Sequence, residues 1–406
     1  MIKIDFPKPN DAKADYLKAV KPAVLNRLEI FKKTLDDIKG PATRVVNDNI
    51  DSYKVTTKEL ILLMDDPQFA DDAFHARNYQ STVDNYVADP HNQLKKINLI
   101  GLRQFTENLI NQNTKELDEL LTCPAAGLAK LNKAILAKYK LNNDLHKSAI
   151  KLIFDYERWD TVGKAIREFF RVEPLVVYCP YCNMLEADYS EDDTGKATTI
   201  PILDHFYDKA STPLLGYSMY NLVPCDSTCN GPTIKHDETF DENYHLSPYE
   251  RGFDKAMMVF EAVIGKVSEP LQAIHLNVIP AYGTKEYRKL VGASRKINEA
   301  SKKGNINLFK HRSRYNKPPI LEHCGAIMNQ LQVHITNRRS LKGFLHDMKL
   351  ENDLDSYKRW YYQEFKVHFD EARFHENRYS KLIRDLHDKI IQDSTEVNND
   401  FKKFIQ

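Results

Sequence analysis

Cys179-Pro180-Tyr181-Cys182 and Cys225-Asp226-Ser227-Thr228-Cys229-Asn230 enclose two further stretches, Leu203-Asp204-His205-Phe206 and Asn221-Leu222-Val223-Pro224. Within each pair both sulfurs can reach one ion, and the 42 residues between Cys182 and Cys225 leave room for a hairpin that folds out and returns. Tetrahedral coordination by Cys179, Cys182, Cys225 and Cys229 is therefore expected, at a closed, structural zinc site. Four thiolates leave such a site with a net charge of about −2, which repels phosphate, so it staples and does not catalyse. What it staples is a carboxylate (Asp204), an imidazole (His205) and two carboxamides (Asn221 and Asn230).

The texture of the chain around this clip is helical. Leu152, Tyr156, Trp159, Ile166 and Phe170 recur at helical spacing, as do Ile110, Leu117 and Leu121, and Pro41, Pro67, Pro90 and Pro124 punctuate the region as helix ends would. At Leu175-Val176-Val177-Tyr178 a β-branched run leads into the first cysteine pair, and Thr198–Leu203 reads as a strand delivering Asp204 and His205 at its end. Asp208–Tyr220 forms the connection, Leu222–Pro224 the return, and a helix is expected after Asn230, with Pro232 tolerated in its first turn. Helices resume after Ser247, with breaks at Pro280–Gly283 and Pro318-Pro319. Beyond Gly343 there is neither Gly nor Pro, and Leu354, Tyr357, Tyr361 and Phe365, then Tyr379, Leu382, Leu386 and Ile390, make apolar stripes on two long helices. The expected fold is mainly α with a small α+β insert: an α-helical domain over 1–172, a ββα zinc-stapled module over 173–262, and an α-helical domain over 263–406.

The segment Tyr178–His236 resembles the HNH endonuclease family, in the version that carries two cysteine pairs around a ββα-metal finger. In that family the histidine of the Asp-His step is the general base, the middle Asn orients the hairpin, and the last His or Asn binds the catalytic metal. The resemblance thus implies catalytic roles for His205 and Asn221, and Asp204 with Asn230 as ligands of Mg²⁺ or Mn²⁺. It departs from the family at Asp208, where proline is usual, and at Lys235, which comes later than the usual lysine and leaves His236 as a substitute. The pairing of the module with long helical flanks resembles HNH components of bacterial anti-phage systems, such as Septu-type proteins that work beside an ATPase.

These residue types suit phosphodiester hydrolysis. A hard divalent ion prefers oxygen donors, such as one carboxylate and one amide. An imidazole titrates near neutrality and can take a proton from water, once a backbone carbonyl near Asn221 fixes its tautomer. Lys209 and Lys235 are placed in sequence to hold phosphate oxygens. The whole chain of 406 residues carries a formal charge of only +1, yet residues 285–317 hold eleven Lys/Arg against Glu286 and Glu299. Such a segment attracts a polyanion, and Lys302, Lys303, Arg312 and Arg314 are its expected nucleic-acid contacts, DNA above RNA by the family resemblance.

Other classes are disfavoured. Gly195-Lys196 lacks the first glycine of a phosphate loop, Ser190 standing in its place, and Ser218 lacks the second glycine of a nucleophile elbow. No apolar run approaches a membrane span, and Asp5 with two prolines occupies the place of a signal peptide, so a cytoplasmic protein is expected, with reduced cysteines. Cys123 and Cys324 read as small core residues. The partners expected are nucleic acid, an ATPase or other defence-system protein, and a second copy of the chain through the helices. The competing reading is a zinc-stabilised binding or scaffold module without catalysis.

Overall fold

Tyr16, Val20, Val24, Leu28, Phe31 and Leu35 repeat every three or four residues and are all fully buried, which makes α1 (Pro9–Asp37) the spine of one half of the protein. The structure is a computed structural model that describes residues 1–37, 98–111, 113–142, 144–154, 161–171, 176–187, 190–191, 193, 197–199, 201–235, 238–264, 271–335, 346 and 353–393. It is mainly helical with three small two-stranded sheets among the described residues. The chain groups into two compact units, one of residues 6–173 and 204–223, the other of 1–5, 174–203 and 224–406. The hairpin expected inside a single 173–262 module is therefore shared, its loop grouping with the N-terminal helices and its flanks with the C-terminal half.

In the helical unit, α1 packs against α2 (Leu99–Ile110), α3 (Glu116–Thr122), α5 (Asp144–Phe154) and α6 (Thr161–Phe170), with α4 (Ala125–Lys138) completing the group. Asn98 caps α2 by accepting the Gly101 N–H at 2.9 Å, and a Cβ on Gly101 would lie 2.2 Å from the Tyr139 carbonyl oxygen, so only glycine fits there. Val162, Ile166 and Phe170 bury one face of α6, and Phe169 meets Tyr16 edge-on at 4.9 Å. Tyr156 and Trp159, expected on the same stripe, lie outside the described residues.

Next along the chain, β1 (Ser190–Glu191) pairs antiparallel with β2 (Ala197–Thr199), and β3 (Ile202–His205) with β4 (Leu222–Cys225) forms a second small sheet. The strand expected over 198–203 is thus two short ones. A four-residue helix α7 (Ser227–Asn230) follows β4; it starts before Asn230 and not after it, because the Asp226 side chain caps it, and Gly231 ends it before Pro232. Where helices were expected after Ser247, β5 (Met258–Ile264) and β6 (Leu271–Val278) form an antiparallel hairpin pairing Met258 with Val278. Val259, Val263 and Ile264 on one strand and Ile274 and Val278 on the other are β-branched and suit a pleated surface, a signal outweighed in the sequence by the helical texture around it.

Short helices α8 (Lys285–Val291), α9 (Asn305–Leu308) and α10 (His311–Tyr315) lead to α11 (Pro318–Ile335), whose first residues are the two prolines expected to mark a break. The C-terminal stripes form helices as expected. α12 (Leu354–Phe365) buries Tyr357, Tyr361 and Phe365, and α13 (Ser380–Asp393) buries Leu382, Leu386 and Ile390 against β5 and α11. Tyr379 stands just ahead of α13 with φ +59°.

Buried charge organises α13. Lys381 and Asp385 pair at 2.5 Å, and Asp385 also accepts the Phe260 N–H at 2.9 Å; burial pushes its carboxyl up to about 6 despite the lysine. One residue pair further on, the Tyr357 hydroxyl meets His387 Nε2 at 2.5 Å and His387 Nδ1 meets Asp388 Oδ1 at 2.9 Å. Burial holds His387 below its ordinary value, so the neutral ring donates from Nδ1 to the carboxylate and accepts from the phenol at Nε2. Burial works against Asp388, but hydrogen bonding to His387 and the charges of Arg384 and Lys255 hold its carboxyl well below the usual range.

A carboxylate depressed in this way stabilises the fold above its unfolded value of about 3.9, and that contribution is lost as pH falls through the folded value. Asp388→Asn should therefore cost roughly 1–3 kcal/mol at pH 7, by taking the charged acceptor from the buried His387 and the half-buried Arg384. In urea unfolding the gap from the parent should narrow as the pH drops below about 4; a gap independent of pH would contradict the assignment.

Candidate functional site

The loop 206–221 is closed on itself by one fully buried side chain. Asn221 Oδ1 accepts the Tyr207 N–H at 2.7 Å, its Nδ2 donates to the Tyr207 and Leu215 carbonyls at 3.1 and 3.0 Å, and its own carbonyl accepts the Phe206 N–H at 2.8 Å. An amide can donate twice and accept on the same plane, which no hydrophobic or carboxylate side chain reproduces. Asp208, which stands where proline is usual in the resembled family, supplies the turn by other means: its carboxylate accepts the N–H groups of Ala210 and Ser211 at 3.1 and 3.0 Å.

The loop is moored to the helices. Tyr16 donates to the Tyr217 carbonyl at 2.7 Å, Arg27 hydrogen-bonds the Tyr217 hydroxyl, and Ser218 donates to the Leu120 carbonyl at 2.7 Å. Gly216 presses on α5 so closely that a Cβ there would sit 2.1 Å from the Phe154 carbonyl oxygen. The Gly216 carbonyl in turn meets His205 Nε2 at 3.1 Å. A carbonyl only accepts, so Nε2 carries the proton and the lone pair of the neutral ring lies on Nδ1. The carbonyl expected near Asn221 is thus that of Gly216, five residues earlier. His205 is half-buried at the end of β3, Asp204 beside it is buried, and Lys209 is half-buried on the loop.

The second group of residues is sulfur-rich. Cys179, Cys182, Cys229 and Asp226 are all buried, and their donor atoms lie within 4.8 Å of one another. The first two come from a tight turn in which the Asn183 N–H reaches the Cys179 carbonyl at 2.7 Å, Asn183 sits at φ +52°, and the Cys179 N–H bonds the Leu185 carbonyl at 2.8 Å. Asn183 is held from outside the turn: its Nδ2 donates to the carbonyls of Phe374 and Asn377, both at 3.0 Å, and its carbonyl accepts the Tyr379 N–H at 2.7 Å. Cys229 rides on α7, whose start Asp226 caps through Oδ1 to the Thr228 and Cys229 N–H groups at 2.8 and 2.9 Å. The other oxygen of the same carboxylate faces Cys182 Sγ at 3.8 Å.

A tetrahedral zinc with sulfur ligands near 2.3 Å requires sulfurs about 3.8 Å apart, so this donor set fits such an ion. Cys225, expected as the fourth ligand, is buried on β4 but is not one of these four residues, which include Asp226 instead. The sequence does carry a signal for it: Asp226 precedes Cys229 by three residues, the spacing of Cys179 and Cys182, whereas Cys225 precedes it by four.

Burial pushes the Cys179 and Cys229 thiols up. Burial also opposes ionisation of Cys182, but hydrogen bonds from the other two thiols and the charge of Arg314 bring it down. Arg314 is buried and donates to Cys229 Sγ at 3.2 Å; burial works against its charge, yet the Cys229 and Cys182 sulfurs keep it protonated. The basic run places Arg314 on a nucleic-acid surface, and its position against the sulfurs corrects that. The neighbouring Tyr315 hydroxyl donates to the Cys182 carbonyl at 2.6 Å, and His311 Nε2 donates to the Tyr181 carbonyl at 2.8 Å.

The other expected phosphate contacts divide. Lys302 donates to the Ile234 carbonyl at 2.5 Å, and Lys235 is buried with its ammonium 4.5 Å from the Phe240 ring centroid, so both serve the turn after α7. Lys303, 4.9 Å from the Tyr244 ring, and Arg312 are exposed. Asn230 is half-buried at the end of α7, directly after Cys229, while His236 lies outside the described residues. Among the singletons, Cys324 is buried, which pushes its thiol up to about 12, and Cys123 is half-exposed.

Cys182→Ser and Cys229→Ser should each abolish metal bound to the purified protein, measured by mass spectrometry of released ions, whereas Cys225→Ser should retain it. Asp226→Asn keeps a capping oxygen and should weaken metal retention alone; Asp226→Ala should cost about 1 kcal/mol more in helix stability. Metal lost with Cys225→Ser and kept with Asp226→Asn would reverse the ligand assignment. No family model, no curated protein and no solved structure matches this chain.

Proposed function

We propose that the chain is a metal-dependent endonuclease of HNH type that hydrolyses phosphodiester bonds of DNA, with His205 as general base and the cysteine group as a structural zinc site. The observation that carries this reading is the contact between His205 Nε2 and the Gly216 carbonyl, within a loop locked by Asn221. It supports a ring with its tautomer set and its basic nitrogen on the other side, as proton abstraction from water requires. Asn221 is a positioning residue in this scheme, since its hydrogen bonds hold the loop that carries Gly216. Asp204, next to His205, is the oxygen donor assigned to Mg²⁺ or Mn²⁺; when bound, such an ion would stabilise charge on the phosphoryl oxygens and on the departing 3′ oxygen. The buried cysteine group with its arginine supports a structural and not a catalytic part for zinc.

The same reading places the protein as the nuclease effector of a bacterial anti-phage system, activated by an ATPase partner. Incubation of plasmid with the parent protein and Mg²⁺ or Mn²⁺, with and without the products of neighbouring genes, tests both halves. His205→Ala should lower the cutting rate roughly 10²–10⁴-fold with zinc content and melting temperature unchanged. Gly216→Ala should lower both rate and stability, because the added methyl group displaces the loop. If His205→Ala cuts as fast as the parent, the base is misassigned. If no preparation cuts under any activation, a zinc-stabilised binding scaffold is the better description.

A further inference from the structure

We infer that the segment 279–303 is a binding face for single-stranded nucleic acid, centred on Tyr282 with Arg295 beside it. The inference deepens the nuclease reading and rests on it only for what the bound strand is used for.

Tyr282 is 54% exposed, the most open of the large hydrophobic side chains among the described residues, and Ile279 three residues earlier is 48% exposed. Yet the ring is held in place. Its hydroxyl donates to the Ala293 carbonyl at 3.2 Å, Tyr287 meets it edge-to-face at 5.4 Å, and the Arg295 guanidinium lies 5.0 Å from its centroid. The turn beneath is equally fixed: Thr284 accepts the Tyr287 N–H at 3.2 Å, Arg288 donates to the Gly283 carbonyl at 3.0 Å, and Gly283 adopts φ +85°. An aromatic ring that is immobilised but left in water adds little to burial, so core packing does not account for it. Immobilised in advance, it loses little conformational entropy when a flat partner lands on it.

The charge around it is positive. Residues 279–303 hold seven Lys/Arg against Glu286 and Glu299. Lys289 is paired with Glu250, Arg288 with the Gly283 carbonyl and Lys302 with the Ile234 carbonyl, which leaves Lys285, Arg295, Lys296 and Lys303 exposed at the surface. Basic side chains interleaved with a fixed aromatic match a strand with phosphates and open base faces. A duplex hides those faces in its own stack, and an acidic peptide satisfies the lysines while offering nothing planar to Tyr282.

The test uses the full chain with His205→Ala, to stop cutting, and fluorescence anisotropy with a short labelled oligothymidylate, the matching duplex, and polyglutamate as competitor. Tyr282→Ala should weaken single-strand binding roughly 5- to 100-fold, with a smaller effect on duplex, while Tyr282→Phe stays within about twofold of the parent. Arg295→Gln with Lys296→Gln should flatten the dependence of affinity on salt. Because Tyr282 is exposed, melting temperatures should not move. Equal single-strand affinity for Tyr282→Ala and the parent overturns the proposal. Equal losses on strand and duplex, or displacement by polyglutamate that ignores Tyr282, overturns it as well. Tyr282-dependent binding by a protein that never cuts would sink the nuclease reading alone, and His205-dependent cutting with Tyr282-independent binding would sink this inference alone.

Discussion

Three sulfurs and a carboxylate crowded into a buried space are the constraint around which the C-terminal half is arranged. Their donor atoms lie within 4.8 Å of one another. Without a cation, burial raises the Cys179 and Cys229 thiols and so disfavours their ionisation. A divalent ion would favour the thiolates instead, and its binding free energy would become folding free energy. Arg314 offsets part of the remaining negative charge from the side of Cys229. The backbone around the group is drawn into the same arrangement, with α7 held by Asp226, the Cys182 carbonyl by Tyr315, and the Tyr181 carbonyl by His311.

The helical unit solves a different problem, how to hold a loop rigidly without metal. Asn221 does this from within and Tyr16, Arg27 and Ser218 from the flanks. These bonds add directional constraints to the apolar side chains that the same loop buries, among them Phe206, Leu214, Leu215, Tyr217 and Met219. Together they fix the Gly216 carbonyl against His205 while the imidazole stays half-open to solvent.

Much of this is legible in the residues. The cysteine spacing points to a metal group and the stripes from Leu354 and Leu382 to two helices, because each signal is local or periodic. What the residues hide depends on contacts distant in sequence. Asp226 is masked by its neighbour Cys225, which has the more obvious donor atom, although the carboxylate both caps α7 and faces Cys182. The β5–β6 hairpin reads as part of a helical stretch, since its apolar runs are short enough to suit either state. Lys235, Lys302 and Arg314 are basic residues whose partners are a ring, a carbonyl and a sulfur; a charge run shows net sign but not what each charge faces.

Asn183 ties the Cys179–Cys182 turn to residues near the other end of the described chain, reaching Asn377 across 194 positions. During synthesis at about 5–20 residues per second, a ribosome needs roughly 10–40 s to travel that distance. For that interval the nascent thiols of Cys179 and Cys182 lack the clasp that Phe374, Asn377 and Tyr379 later supply. Fixing of this turn is thereby delayed until residues 374–379 have been made, and chains that stop before them would carry Cys179 and Cys182 without that clasp.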